Sequence, residues 1–253
     1  MTWDPKTYLA FAGERTRPAA ELLARIPLEG PTQVADLGCG PGNSTALLAA
    51  RWPNAAIAGV DPSESMLAEA EASSVHAHWI KSDIAVWAPD KPCDVIFSNA
   101  AFQWLDQHET LLPRLMTQIA DGGVFAFQVP RNFDAPSHAL MREVANGGPW
   151  KSKLSRVRRM GVLTPEQYFD LLSSRATRLD IWETEYLHVL DGDDPVFRWV
   201  SGTGLRPYAD ALSGDEREDF LAAYRAQLRL AYPRRPDGST LFPFRRLFVI
   251  ATT

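Results

Sequence analysis

Nine consecutive residues, Val34-Ala35-Asp36-Leu37-Gly38-Cys39-Gly40-Pro41-Gly42, restrict what this chain can become more than any other stretch. An apolar run, Gln33–Leu37, leads into a G-x-G-x-G turn, and the Asn43–Arg51 segment behind it is rich in Ala and Leu. That is a strand, a tight turn and the opening of a helix. Glycine tolerates the positive φ such a turn demands and puts no Cβ between the backbone and a ligand. A dinucleotide-binding loop would place its third glycine at position 43, where this chain has Asn43.

A regular alternation follows. Ala56–Val60, His78–Ile80, Asp94–Ser98 and Gly123–Val129 read as further short strands, and Ser63–Ala72 and Leu105–Ile119 as helices. Strands that are continuous apolar runs, spaced by helices, predict a parallel sheet covered on both faces. Ahead of this, residues 5–25 read as an amphipathic helix pair with Tyr8, Phe11, Leu22, Leu23 and Ile26 on its apolar stripes, and with Pro18 opening the second helix. After Pro130 the rhythm changes. Residues 131–165 carry Asn132, Pro136, Gly147, Gly148 and Pro149 and read as loop and short helix. Thr164-Pro165-Glu166 looks like a capped helix start running to Ser173, Asp180–Leu190 is strand-like, Ser213–Leu230 is helical, and Arg246–Thr253 is a final strand. The expected organisation is one domain over 1–253. Its core is 30–130, with a mainly helical region over 131–240 interleaved with the last strands as a cap.

Composition narrows the partners. A net charge of −5 gives nucleic acid and anionic membranes little to hold, so an anionic substrate needs a local cationic pocket. Cys39 and Cys93 are the only cysteines, one in the glycine turn and one heading a strand, so neither a disulfide framework nor a Cys-x-x-Cys metal site is available. A reducing, cytoplasmic setting fits. Charged residues break the first 26 positions, which argues against a signal peptide, and no run approaches the ~18 apolar residues a membrane helix needs.

Carboxylates stand at the ends of three successive strands: Asp36, Asp61 and Asp83. Open α/β sheets bind ligands at that edge. Asp61 has two acceptor oxygens to match the vicinal hydroxyls of a ribose, and it equally suits capping the helix after Pro62-Ser63-Glu64. The D-x-G-x-G-x-G pattern resembles motif I of the class I S-adenosylmethionine-dependent methyltransferases. The resemblance implies a Rossmann-like, doubly wound, mostly parallel seven-stranded sheet with a helical cap. It also implies that Asp36 reaches the cofactor's amino-acid end, that the loop with Gly38, Gly40 and Asn43 packs against adenosine, that Asp61 accepts from the ribose with Pro62 and Met66 as further cofactor contacts, and that Asp83 and Ile84 hold adenine. Asn99-Ala100 then abuts the transferable methyl, with Trp104 close behind. DNA amino-methyltransferases carry N/D-P-P-Y/F/W at this place, and Asn99-Ala100-Ala101-Phe102 has neither proline. Nucleic-acid amine methylation is therefore disfavoured.

Stretches outside that core, Trp3-Asp4-Pro5, Tyr8-Leu9, NAAFQWL (99–105), LMREVA (140–145) and TGLRPY (203–208), make the whole chain similar to the trans-aconitate 2-methyltransferase family. The resemblance implies a small tricarboxylate acceptor and S-adenosylhomocysteine as the spent cofactor. Such an acceptor, with a pKa of ~4, is already a nucleophile at neutral pH and needs no general base. Orientation by Gln103 and Trp104 is expected instead, with Trp3, Tyr8, Arg15, Arg206 and Tyr208 as substrate contacts. Arg206, read as lying in a loop, suits bidentate pairing with a carboxylate. Arg17, Arg131, Arg245 and Arg246 are further candidate clamps.

His108-Glu109 reads as a solvated helix start rather than a base. Lys151, Lys153, Arg156, Arg158 and Arg159 form a basic run without an acid, either a solvated face or an anion-attracting lid. Asp191, Asp193 and Asp194 lack the glutamate that closes a calcium loop, and Pro195 suggests a helix start, so no metal is expected. Three alternatives stay open: a methyltransferase for another small acid or phenol, a non-catalytic S-adenosylmethionine-binding module, and a dehydrogenase, which Asn43 opposes.

Overall fold

The computed structural model describes residues 12–158 and 160–253, apart from the side chains of Ala12, Glu14 and Arg15. Trp3, Tyr8, Arg159 and the Arg15 side chain thus lie outside the described residues. The chain divides into two compact units, one of residues up to Pro130 with Val162–Thr184 and Arg246–Thr253, the other of Arg131–Gly161 and Glu185–Arg245.

The first unit is built on the sheet. Its strands are β1 (Gln33–Leu37), β2 (Ala56–Asp61), β3 (His78–Lys81), β4 (Cys93–Asn99) and β5 (Ile119–Pro130), joined by β6 (Arg178–Leu190) and β7 (Thr240–Thr252), which both run on into the second unit. The seven strands lie in the order β3-β2-β1-β4-β5-β7-β6. Pairs β1–β2, β1–β4, β2–β3 and β4–β5 are parallel, and β7 returns antiparallel to β5. This is the mostly parallel, doubly wound sheet expected. Val34–Leu37, Val95–Ser98 and Val124–Val129 are buried without alternation, as strands covered on both faces must be. Phe102, Phe125, Phe127 and Tyr168 form the aromatic centre of that core, all fully buried.

Helices α1 (Ala12–Ala24), α2 (Asn43–Arg51), α3 (Glu64–Glu71) and α4 (His108–Met116) complete the first half of the chain. Pro18 does not open a second helix, because α1 runs straight through it. The ring is buried beside Ala19, Leu22 and Leu23, and that burial offsets the hydrogen bond proline cannot make. The expected helix over Leu105–Ile119 is shorter. Phe102–Trp104 is a separate 3-10 turn, α4 starts at His108, and Ile119 already belongs to β5, paired with Cys93.

In the second unit, α5 (Pro136–Gly147) occupies much of the stretch expected to be loop. Its buried residues Ser137, Met141 and Ala145 repeat at helical spacing, a signal masked by the flanking prolines and glycines. A short α6 (Lys151–Leu154) follows it, while α7 (Pro165–Leu172) belongs to the first unit. There Thr164 and Gln167 cap each other reciprocally, as the sequence suggested. The second unit continues with α8 (Pro195–Ser201), α9 (Arg206–Asp210) and α10 (Gly214–Ala231). Two tyrosines tie α5 down: the Tyr224 hydroxyl donates to the Ser137 carbonyl at 2.7 Å and the Tyr232 hydroxyl accepts the Ser137 N–H at 3.0 Å. Arg206 stands at the head of α9, so the loop expected there is helical. Pro207 fits that first turn, where its missing N–H is no loss.

Candidate functional site

The carboxyl ends of β1, β2 and β4 converge on the glycine turn. Gly38 has φ +75°, and a Cβ on it would collide with the Cβ of Ala101 behind β4. Only glycine lets these two segments approach so closely. Gly40, at φ +54°, is different: nothing stands within 4 Å of the place its Cβ would take. It leaves an open cradle on the ligand side of the turn.

Each carboxylate is held by local bonds. Asp36 is fully buried, and one of its oxygens accepts from the Ser44 and Thr45 hydroxyls, both at 2.7 Å. Burial outweighs those donors and raises its pKa to about 6. The other oxygen, Oδ1, has no partner among the described residues. Asp61 accepts the Gly40 N–H at 3.0 Å and the Ser63 N–H at 2.8 Å, so it braces the turn and the entry to α3 together. Burial raises its pKa against those two backbone donors. Asp83 is exposed and accepts the Ala85 N–H at 2.9 Å, while Ile84 beside it is buried. Pro62 is exposed, and Met66 is buried on the inner face of α3.

Behind β4 the backbone is strained. Ala100 sits at φ +55°, and the buried Gln103 donates to its carbonyl at 2.5 Å. The Gln103 Oε1 has no donor among the described residues. Trp104, half-buried, ends the 3-10 turn. Asn99 accepts from Gln128 Nε2 at 2.5 Å, and Gln128 Oε1 in turn accepts from Arg246 Nη1 at 3.3 Å. Gln128 and Arg246 are both buried, so a polar relay crosses the sheet beneath Asn99. Sequence reading missed Gln128 because it interrupts an apolar strand without any motif around it. Arg246 is buried in this relay, which a candidate surface clamp would not be.

His108 corrects another expectation. It is no solvated helix start: it is 4% exposed, its Nε2 bonds the Phe102 carbonyl at 2.8 Å, and its Nδ1 pairs with the Tyr168 hydroxyl at 2.9 Å. A carbonyl only accepts, so Nε2 carries a proton. The ring pins the 3-10 turn to α7 from within the core.

The remaining candidates are scattered. Arg17 pairs with Glu21, Arg245 stands 3.8 Å from Glu185, and the Arg131 N–H bonds the Arg245 carbonyl. Lys153 bonds Glu216 at 2.5 Å, and Arg158 lines a cavity in the second unit together with Tyr208. Arg206, half-buried, is not among the residues lining that cavity. Asp194 precedes α8 and accepts both Arg229 Nε and Nη2. Among the described residues no group of three or more His, Cys, Asp or Glu side chains is placed to hold a metal ion. No described helix is long and apolar enough to cross a membrane.

The residues present suit an adenosyl cofactor. An open glycine cradle, a turn-bracing carboxylate, an exposed carboxylate at the next strand end and an unpaired buried oxygen on Asp36 offer acceptors where hydroxyls and amines need them. A methyltransferase-domain family model matches residues 34–123. The trans-aconitate 2-methyltransferase of Azoarcus sp. strain BH72 is 51% identical over 251 residues, covering 99% of this chain and 98% of that protein. The Rhodopseudomonas palustris strain HaA2 protein of the same name is 49% identical, with 98% of each chain covered. Among solved structures, the YcgJ protein of Bacillus matches with a TM-score of 0.61 at 13% identity, over 94% of this chain and 98% of that one.

Proposed function

The chain belongs to the trans-aconitate 2-methyltransferase family, and from that premise we propose that it moves a methyl group from S-adenosylmethionine to one carboxylate of trans-aconitate, releasing the monomethyl ester and S-adenosylhomocysteine. One observation carries the acceptor. The 51% identity runs over 251 residues, through both units, whereas the general methyltransferase model matches only 34–123. The likeness therefore extends well beyond the part shared with methyltransferases of every substrate.

In this reading the glycine turn, Asp61, Asp83 and Asn99 hold the cofactor. When bound, it supplies a methyl carbon made electrophilic by the adjoining sulfonium. The rest is orientation. The acceptor carboxylate is ionised at neutral pH, so no side chain has to remove a proton. His108 agrees, since both ring nitrogens are engaged in the core. Gln103 and Trp104, directly behind Asn99, orient the acceptor, and alignment of this kind is worth up to ~7–11 kcal/mol. Cytoplasmic residence is part of the same reading and rests on the two free, buried thiols. The test is an assay with labelled cofactor against trans-aconitate, cis-aconitate, citrate, isocitrate and a phenol. Trans-aconitate is expected to give the highest kcat/KM and an alkali-labile ester. Label on the phenol alone, or on none of the five, would overturn the assignment.

A further inference from the structure

A cavity of about 310 Å³ lies wholly within the second unit, inside the ~300–1,000 Å³ range of small-molecule sites. Three of its lining residues come from one face of α5: His138, Met141 and Arg142, at spacings of three and four. Arg158, Met160 and Phe133 join them. Arg142 is preset, because its Nη1 donates to the Phe133 carbonyl at 2.7 Å and so fixes the guanidinium. Its remaining N–H groups still outnumber that one bond. Gly204 keeps the cavity open, since a Cβ there would come within 3.1 Å of His138 Nε2 and 3.2 Å of Met160 Cε.

Charge and surface then define the ligand. The ionisable groups on the lining are Arg142, Arg158, Asp134, His138 and Tyr208. Burial, with Arg142 adding to it, lowers the pKa of His138 to about 4, so it is neutral at pH 7. Two guanidiniums thus stand beside one carboxylate on the described lining, in a protein of net charge −5. Phe133, Met141 and Met160 add apolar surface. Asn132, next in sequence to Phe133, keeps both amide atoms buried, with no hydrogen-bond partner among the described residues. Resting on the methyltransferase reading above, we infer that this cavity is a polycarboxylate-binding site, for a ligand of the trans-aconitate class. Arg142 and Arg158 take carboxylates of a small polycarboxylate whose carbon skeleton lies against Phe133, Met141 and Met160.

Full-length protein saturated with S-adenosylhomocysteine is titrated calorimetrically with trans-aconitate, and KM is measured in parallel. Arg158 is exposed, so Arg158→Glu does not threaten the fold. It is expected to raise both the trans-aconitate Kd and KM roughly tenfold or more, the scale of a charged hydrogen bond, with the S-adenosylhomocysteine Kd unchanged. Arg142→Gln should do at least as much, and Arg142→Lys should recover part of the loss. Either Arg158→Glu or Arg142→Gln staying within about twofold of wild type overturns the assignment. If wild type does not turn over trans-aconitate, the functional reading fails and the cavity is judged separately with tricarballylate. Binding by wild type that Arg158→Glu weakens supports the site, and absence of binding by wild type overturns it.

Discussion

The glycine-turn edge of the first unit and the cavity of the second are made of different materials. At the edge, the contacts that matter belong to the backbone: three glycines at positive φ, N–H groups of Gly40 and Ser63 on one carboxylate, and a strained Ala100. Each piece is fixed within a few residues of a strand end. In the cavity, residues from three separate segments meet, and two of the walls are methionines, the most adaptable of apolar residues. A backbone site tolerates almost no substitution and varies little in what it binds. A side-chain site can change its ligand by changing a residue.

The sharpest break with that comparison would be a tolerant glycine. Gly38→Ala adds both a strained φ and a collision with Ala101, expected to cost ~2–5 kcal/mol together. Urea unfolding should show it, and adding Ala101→Gly should restore the part due to the collision but not the part due to φ. Full stability of the single variant would mean the turn is not backbone-limited.

Asp36 gives the next effect. Its pKa is raised from 3.8 to about 6, so the stability it contributes is present below about pH 4 and lost as pH rises through about 6. Asp36→Asn is freed of that dependence. Relative to wild type, the variant should gain stability between pH 4 and 7, approaching ~3 kcal/mol for a two-unit shift. Parallel denaturation curves across that range check it, and a gain in the opposite direction would refute the buried-carboxylate account.

Asp61→Ala removes an acceptor and the brace on Gly40 together. Calorimetry with S-adenosylhomocysteine should show a loss of ~1–3 kcal/mol, and an unchanged affinity would take Asp61 out of the site. His108→Ala separates structure from chemistry. It should lower stability by ~1–2 kcal/mol through two lost buried bonds, yet leave kcat within about a hundredfold of wild type, the lower end of general-base effects. A larger fall in kcat with the fold intact would make His108 a participant. The smallest effect is expected from Arg206→Ala, which should raise the trans-aconitate KM only about threefold, short of the roughly tenfold or more expected of Arg158→Glu. A rise matching Arg158→Glu would move the clamp to α9.

This same difference decided how much the sequence disclosed. The glycine turn, Asp36, Asp61 and the strand ends were legible because each depends on contiguous residues whose spacing is a backbone requirement. The Gln128–Arg246 relay was not, since its members are 118 positions apart and meet only through the β5–β7 pairing. Arg142 and Arg158 were only half legible: Arg158 stood in a basic run with the lid reading left open, and Arg142 lay in a stretch read as loop and short helix, so nothing in the sequence brought the two to one cavity. His108 was misread for the complementary reason. Its neighbours in sequence are polar, and the Tyr168 hydroxyl that buries it comes from a helix 60 residues away.

At the opposite end of the central strands, Asp94 Oδ2 accepts the Thr32 N–H, the Thr32 hydroxyl and the Gln33 N–H at 2.6, 2.8 and 3.0 Å. Burial works against the charge, but those donors prevail and hold the carboxyl below its usual range. The bonds close a loop of about 60 residues that holds β2, β3 and the helices between them, next to the long-range β1–β4 pairing. Long loops close slowly, and nothing in the middle of the sheet is rewarded until they do. β1 can pair with the nearby β2, but a nascent chain that has exposed only its glycine turn holds a strand whose partner on the β4 side does not yet exist.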